Sequence, residues 1–316
     1  MELYKNTFQI QSLYGGRNLF QYLFVGENVV LVDAGIAETP EHVIFPYFDN
    51  LKLDPRRLTL VVITHPDLDH QGGNYGIRKK AAQALLACGE ADRAMIEDPR
   101  ALFDRRYNFA KKEHGLGFSG DDPWPDAGAP QRVDLGFSGG ETIHIGEEWE
   151  LQVLHVPGHS HGHLALYDPR HKAAFVSDAI HGRGCPNANG TMGIPVTYFY
   201  VDIYLSTLRY FEGLAIDVLY SGHWPAMRGE EITDFIFTSR ATVELIDRVI
   251  LSNLGKVPAG LTLQELVDVV ANAAGDWPKE TWFLATYPVL GHIERLESRN
   301  KARKVPGTPF PRWQLL

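Results

Sequence analysis

Four side chains able to bind a metal fall within six positions: His65, Asp67, Asp69 and His70, in the stretch Thr64-His65-Pro66-Asp67-Leu68-Asp69-His70-Gln71-Gly72-Gly73-Asn74. Imidazoles mixed with carboxylates suit zinc, iron or manganese and do not suit calcium. A cation held this way polarises a carbonyl and brings the pKa of a bound water to about 7, so hydroxide is available at neutral pH. Three later segments carry the same kind of group. Pro157-Gly158-His159-Ser160-His161-Gly162-His163 follows the run Trp149–His155, Val176-Ser177-Asp178 ends an apolar run from Ala173, and Tyr220-Ser221-Gly222-His223 ends one from Asp217. Each is an apolar segment that stops at Gly or Ser beside a His or Asp, a pattern too repetitive for chance.

Such groups meet only if their strands end together. Leu58–Ile63 is an apolar run of strand length directly before the first cluster, and Gly72 and Gly73 mark a tight turn into a helix. Ligands carried at the C-terminal edge of strands are the usual arrangement of α/β sites. Residues 8–13 and 19–24 also read as strands, and Gly26-Glu27-Asn28 turns the chain into a further one at 29–33. Residues 39–52 read as a helix and 81–86 as a strand. From Gln131 the strand-rich pattern repeats. Between the halves, 91–113 is charged and amphipathic. The Gly/Asp/Pro-rich stretch 114–130 is long for a loop in a compact domain and is a candidate lid. Phe103, Tyr107, Phe109 and Trp124 are candidates for an apolar rim, with core packing the favoured reading.

These residues resemble the metallo-β-lactamase superfamily, whose signature is His-x-His-x-Asp-His, then a distant His, an Asp and a last His. His65, Asp69, His70, His159, Asp178 and His223 match it in order and context. Asp67 stands where the signature has its second His. Members that reduce oxygen or nitric oxide at a di-iron site carry a Glu there. The resemblance implies an α/β fold, a four-layer αββα sandwich over residues 1–228, with a small helical, winged-helix-like appendage at 229–316. It implies one metal on His65, Asp67 and His159, a second on Asp69, His70 and His223, and Asp178 bridging them. Asp69 is also the catalytic candidate, orienting the attacking oxygen. Two zinc ions are the first expectation, with iron or manganese as the alternatives that an oxygen ligand at Asp67 would favour.

The same resemblance places supporting and substrate-side candidates. Asp33, in Asp33-Ala34-Gly35, falls where the family closes its opening hairpin beside the metal, although a turn carboxylate is the favoured reading. His163 falls where relatives carry a His that supports a ligand. His161 and His181 are surplus imidazoles, read as solvated or core ahead of substrate contacts. Tyr198 and Tyr200 are candidates to donate to a substrate oxyanion, with packing preferred for either alone. Trp224 replaces a usual Gly after the last ligand and would narrow the pocket.

Beyond His223 the composition becomes helical. Val243, Ile246 and Ile250 keep helical spacing within 230–254. Thr262-Leu263-Gln264-Glu265 is a capping box, with Leu261 and Leu266 placed as a staple. Leu263, Leu266, Val267 and Val270 share one helix face, and Val289, Ile293 and Leu296 another. The basic run Arg295, Arg299, Lys301, Arg303 and Lys304 reads as a solvated helix end.

Composition bounds the function. The 316 residues are 44% apolar, enough for an ordinary packed core. A net charge of -9 opposes general binding to nucleic acid. No apolar run approaches the roughly 18 residues of a membrane span. Met1-Glu-Leu-Tyr-Lys-Asn-Thr lacks an apolar signal region, which predicts a cytoplasmic protein. Cys88 and Cys185 are expected as buried free thiols. The leading expectation is a dinuclear metal-dependent hydrolase that turns a metal-bound hydroxide on a small ester, lactone, thioester or amide. A di-iron redox or oxygen-activating enzyme is the runner-up, disfavoured because no flavodoxin-like domain follows. A nuclease and a metal-stabilised binding protein rank below it. The expected partner is a small-molecule substrate, with no nucleic acid and no membrane, and a homodimer stays open.

Overall fold

A computed structural model describes residues 1–118, 120, 124–307 and 309–316. The chain packs as two compact units. Met1–Arg106, Asp121–Ala179 and Ala215–Arg228 form the first; Tyr107–Gly120, Ile180–Leu214 and Gly229–Leu316 form the second. The second unit therefore gathers residues from both sides of position 228. Positions 119 and 121–123, part of the stretch read as a lid, lie outside the described residues.

Two mixed sheets build the first unit. One runs in the order β1 (Glu2–Tyr4), β2 (Thr7–Tyr14), β3 (Arg17–Val25), β4 (Val29–Val32), β5 (Leu58–Ile63), β6 (Leu85–Gly89), β7 (Leu135–Phe137). Its first pairs are antiparallel, and β4, β5, β6 and β7 are parallel. The other contains β8 (Thr142–Gly146), β9 (Trp149–His155), β10 (Leu164–Asp168) and β11 (Ala173–Ser177). A short hairpin of β12 (Cys185–Pro186) and β13 (Met192–Ile194) belongs to the second unit. Then β14 (Val218–Ser221) pairs parallel with β11, and β15 (Met227–Arg228) closes that edge.

Side-chain alternation assigns the two faces of the first sheet. Phe20, Tyr22 and Phe24 of β3, Val30 and Val32 of β4 and Val62 of β5 pack with Leu151, Val153, Phe175 and Tyr220 of the second sheet. Their neighbours Leu23, Leu31, Val61 and Ile63 point the other way. They meet Phe45 and Phe48 of helix α1 (Phe45–Asn50), along with Ile77 and Ile96. A slip of one residue would exchange the faces, so burial on both sides fixes the register. Sheet, sheet and helix layers are thus visible within this unit, and the long helices belong to the other.

Local structure adds detail to the expected elements. The helix at 39–52 is a π-helical turn, Pro40–Ile44, leading into α1. Short helix α2 (Leu68–Gln71) and then α3 (Asn74–Lys80) follow the ligand cluster. The strand expected from Ala81 begins at Leu85, because Ala81 still donates to Ile77 and ends α3. The charged, amphipathic stretch 91–113 is helical in short pieces. It breaks into α4 (Arg93–Glu97), α5 (Pro99–Leu102), a π-helical turn Phe103–Tyr107 and α6 (Lys111–His114). Pro99 cannot continue α4, and Asp98 restarts the chain by accepting from the Arg100 backbone at 2.9 Å.

The second unit is mainly helical: α7 (Val201–Gly213), α8 (Glu230–Lys256), α9 (Leu263–Ala274) and α10 (Thr286–Ser298). The capping box at Thr262 and Glu265 forms in both directions. After α10 comes a hairpin, β16 (Ala302–Val305) with β17 (Arg312–Leu315), which the sequence reading did not expect. Both cysteines are buried.

Candidate metal centre

The site lies in the first unit, at the C-terminal ends of parallel strands. Asp33 directly follows β4, Thr64 and His65 follow β5, Asp178 follows β11, and His223 lies two residues beyond β14. Asp33 (φ 62°) and Ser177 (φ 48°) hold left-handed backbone conformations that non-glycine residues rarely adopt. Such strain is retained where the surroundings enforce it, often at working sites. Gly222 has no alternative: a Cβ there would fall 2.6 Å from Asp178 Oδ1 and 2.9 Å from His70 Cε1.

Three imidazoles are anchored through Nδ1. His70 Nδ1 lies 2.8 Å from Asp33 Oδ2, His223 Nδ1 2.6 Å from the Asn18 carbonyl, and His65 Nδ1 3.0 Å from Thr64 Oγ1. Thr64 in turn donates to Asp33. A proton on each Nδ1 leaves Nε2 as a bare donor atom, the arrangement that metal-binding imidazoles use. These Nε2 atoms point inward. His70 Nε2 is 3.4 Å from His223 Nε2 and 3.9 Å from Asp178 Oδ1. His223 Nε2 is 3.3 Å from Asp178 Oδ2 and 3.5 Å from Asp69 Oδ2.

The electrostatics favour a cation. Burial alone would lower the His70 pKa, but Asp33, Asp69 and Asp178 override it and push it up to about 10. A field that draws a proton that strongly also draws a divalent ion. Burial likewise opposes ionisation of Asp178, yet His223 and its neighbours hold that carboxyl well below the usual range. His65 is pushed the other way, first by burial and then by His70, and stays neutral. Its Nε2 and Asp178 Oδ1 are buried without a hydrogen-bond partner. Among the described residues, Asp69 with His70 and His223, and His65 with His70 and Asp178, each bring their ligand atoms within 4.8 Å of one another. The donor set fits a metal.

The other side of the site is built differently. Asp67 occupies the N-cap position of α2 but makes no capping bond. Its carboxylate instead takes a bidentate pair from Arg106, Nε to Oδ1 at 2.5 Å and Nη2 to Oδ2 at 3.0 Å. Burial would raise the Asp67 pKa; Arg106 and His159 hold it well below the usual range. Arg106 Nη1 also donates to the His159 carbonyl at 2.9 Å. His159 Nε2 lies 2.8 Å from Arg106 Nη2 and 2.9 Å from Asp67 Oδ2. A third grouping, His65, His159 and His163, is also close enough for a metal but contains no carboxylate. His163 stacks on His65 at 4.7 Å between ring centres.

The remaining candidates divide between the units. Asp33 is no simple turn carboxylate, since it accepts from both Thr64 and His70. Trp224 is buried with its ring 6.1 Å from that of His223. Phe103 and Trp124 pack edge to face in the first unit. In the second, Tyr107 packs on Phe118, and Phe109 on Phe199 and Tyr287. His161 is exposed. His181 is buried in the second unit, its Nε2 3.2 Å from Thr197 Oγ1. Tyr198 is fully buried there, stacked on Tyr204, with its hydroxyl 2.9 Å from His292 Nε2. Its hydroxyl is therefore engaged inside that unit. Tyr200 is half-buried beside Phe199. Sequence reasoning missed Arg106, Thr64, Ser177 and Asn18. An Asp in place of a neutral ligand signals a missing cation, but the 91–113 stretch offers several arginines and no pattern to choose among them.

Comparison with known proteins identifies the family and the fold. A family profile described as metallo-beta-lactamase superfamily matches residues 15–223. A hydroxyacylglutathione hydrolase from Hyphomonas neptunium is 30% identical over 131 residues, 41% of this chain and 37% of that protein. An acyl-coenzyme A thioesterase from Gallus gallus is 28% identical over 139 residues, 40% of this chain and 43% of that one. The matched stretch thus spans about two fifths of these relatives. A metallo-beta-lactamase family protein from Thermus thermophilus shares the fold, with a TM-score of 0.73 at 18% identity over 99% of this chain and 100% of that one.

Proposed function

Since the chain belongs to the metallo-beta-lactamase superfamily, we propose that it is a metal-dependent hydrolase of a small acyl compound, with a thioester the first choice. One observation carries the reading: three imidazoles anchored at Nδ1 turn their Nε2 atoms towards Asp69 and Asp178. The thioester preference rests on the names of the two relatives. Asp69, His70, His223 and Asp178 would hold the metal, zinc first, with His65 beside them. A divalent cation there supplies Lewis acidity and acidifies water. The chain's own groups do the rest. Asp33 fixes the His70 ring and Asn18 fixes His223, and the Asp69 carboxylate would orient an attacking oxygen and accept its proton.

The competing readings lose support. The di-iron alternative rested on Asp67 as an oxygen ligand, and that carboxylate is engaged by Arg106. A nuclease would need an open basic patch. Arg295 and Arg299 instead pair with Asp202, and Lys304 with Glu113. The helices and hairpin at 229–316 follow the order of a winged-helix-like tail, which we keep as a proposal. Among the described residues no helix is long and apolar enough to cross a membrane, and the cytoplasm remains the proposed location.

The test is thiol release from hydroxyacylglutathione and acyl-coenzyme A thioesters, beside ester, lactone and amide controls, in protein of known metal content. Turnover should disappear on metal removal and return on reloading. Metal-loaded, folded protein that hydrolyses none of these classes would refute the proposal.

A further inference from the structure

We infer that Arg106 serves as a built-in cation of this site, so that the centre takes one divalent metal, on Asp69, His70, Asp178 and His223, instead of two. The inference rests on the metal-dependent reading proposed above and concerns only how the site is filled.

The argument is one of lone pairs. A metal between His65, Asp67 and His159 needs Nε2 of His159 and an oxygen of Asp67. Both are already committed. If His159 Nε2 carries a proton, it donates to Asp67 Oδ2 at 2.9 Å. If it is bare, it accepts from Arg106 Nη2 at 2.8 Å. Either tautomer leaves no free lone pair on His159 Nε2. The same guanidinium nitrogen is 3.0 Å from Asp67 Oδ2, so it sits between the two groups that a metal there would join.

The chemistry of the pair is consistent with permanence. A guanidinium does not lose its proton in proteins, and its fork matches a carboxylate in two parallel bonds. The Arg106 side chain is only 7% exposed. Removing it from Asp67 would strand a buried charge. The Nη1 bond to the His159 carbonyl ties the same fork to the loop that carries His159. Asp67 adds a negative charge where the family's signature has a neutral imidazole. Arg106 cancels that charge on the spot, and the Asp69 side of the site keeps its own balance. Arg106 also sits in a π-helical turn, Phe103–Tyr107, an irregularity that recurs at functional positions.

The contrast with the metal side is direct. There, Asp178 Oδ1 is buried with no hydrogen-bond partner among the described residues. Beside Asp67, the carboxylate, the guanidinium and His159 Nε2 are matched to one another, while His65 Nε2, 3.6 Å from Asp67 Oδ2, makes no hydrogen bond among the described residues. Arg106 is therefore a positioning residue, holding Asp67 and His159 in a metal-like geometry without a metal.

The experiment counts zinc per chain in the intact protein by elemental analysis and native mass spectrometry, then measures zinc affinity by chelator competition. Wild type should hold one zinc and stay at one in excess zinc. His159→Ala should keep that zinc with affinity within about threefold, whereas His223→Ala should lose more than the roughly 10- to 100-fold that removing a mere supporting partner costs. The Asp67→His, Arg106→Ala double variant should take two. Two zinc ions in wild type, loss of zinc in His159→Ala, or a folded double variant that still holds one would each overturn the inference and leave the hydrolase proposal standing. Zinc-free protein under all conditions would overturn both. If the double variant does not fold, wild type and His159→Ala decide alone.

Discussion

Two buried histidine–carboxylate clusters, one in each unit, use similar residues and differ in what they leave over. In the first unit His70 is anchored to Asp33 through Nδ1, and its Nε2 joins a group in which His65 Nε2 and Asp178 Oδ1 lack hydrogen-bond partners. In the second, Tyr198 bonds His292 Nε2 at 2.9 Å, and His292 Nδ1 bonds Asp247 Oδ1 at 2.6 Å. Arg295 Nη1 meets the other Asp247 oxygen at 2.5 Å. Both ring nitrogens of His292 are used, and nothing remains for a ligand. An unmatched buried polar group costs about 1–3 kcal/mol, so folded chains keep few of them. The difference teaches that residue types alone do not mark a metal site. The lone pairs that remain after the protein's own hydrogen bonds are counted do so.

The largest expected effect separates the two clusters outright. Chelation should lower the melting temperature, because a metal present at about 1,000 times its Kd stabilises the folded state by about 4 kcal/mol. Thermal scans before and after verified metal removal check this; identical curves would place no metal in the first cluster. Next comes Asp33→Asn, which removes the charged anchor of His70. It should weaken metal binding by roughly 10- to 100-fold, as lost supporting carboxylates do, measured by chelator competition. Asp247→Ala should behave in the opposite way. It leaves His292 Nδ1 and Arg295 Nη1 without their acceptor, although Arg295 Nε keeps Asp202, and should cost about 1–3 kcal/mol in denaturant unfolding, with metal affinity unchanged. A tenfold change in affinity there would break the contrast.

The smallest effect is a pH dependence of the second cluster. His292 has its pKa lowered, chiefly by burial. Burial works against ionisation of Asp247, but His292 and Arg295 still hold its pKa below the ordinary value. A group with a depressed folded pKa contributes stability that is complete above its unfolded pKa and is lost as pH falls. For His292 that loss starts near the ordinary histidine value of about 6.5, and for Asp247 near about 3.9. Metal-free protein should thus lose stability on acidification below about pH 6.5, and His292→Gln should lose less. Parallel denaturation curves at several pH values decide it, and equal slopes would remove His292 as the cause.

Much of the candidate site was legible because its proposed ligands directly follow strands. Leu58–Ile63, Ala173–Ser177 and Val218–Ser221 are apolar runs whose periodicity and stop signals show in one dimension. The capping box at Thr262 was equally local. What stayed hidden was set by distant packing. The alternation of β3 shows two faces, but only the sheet pairing says which faces Phe175. Asp33 looked like a turn residue because its partners, Thr64 and His70, come more than thirty positions later. Arg106 carried no local mark, for its meaning comes from Asp67, 39 residues earlier. The hairpin at β16 and β17 lacked the compact turn dipeptide that announces short hairpins.

Two bonds give the last ligand a particular place in time. His223 donates to the Asn18 carbonyl at 2.6 Å, across 205 positions, and the Phe20 amide donates to the Gly222 carbonyl at 2.8 Å. The start of β3 and the end of β14 are stitched together at the site. During synthesis, every earlier ligand leaves the ribosome before this stitch can close. Closing so long a loop is slow because its entropy is lost before the contact is gained. The full proposed ligand set therefore assembles late, and a nascent chain halted short of residue 223 would lack its last member.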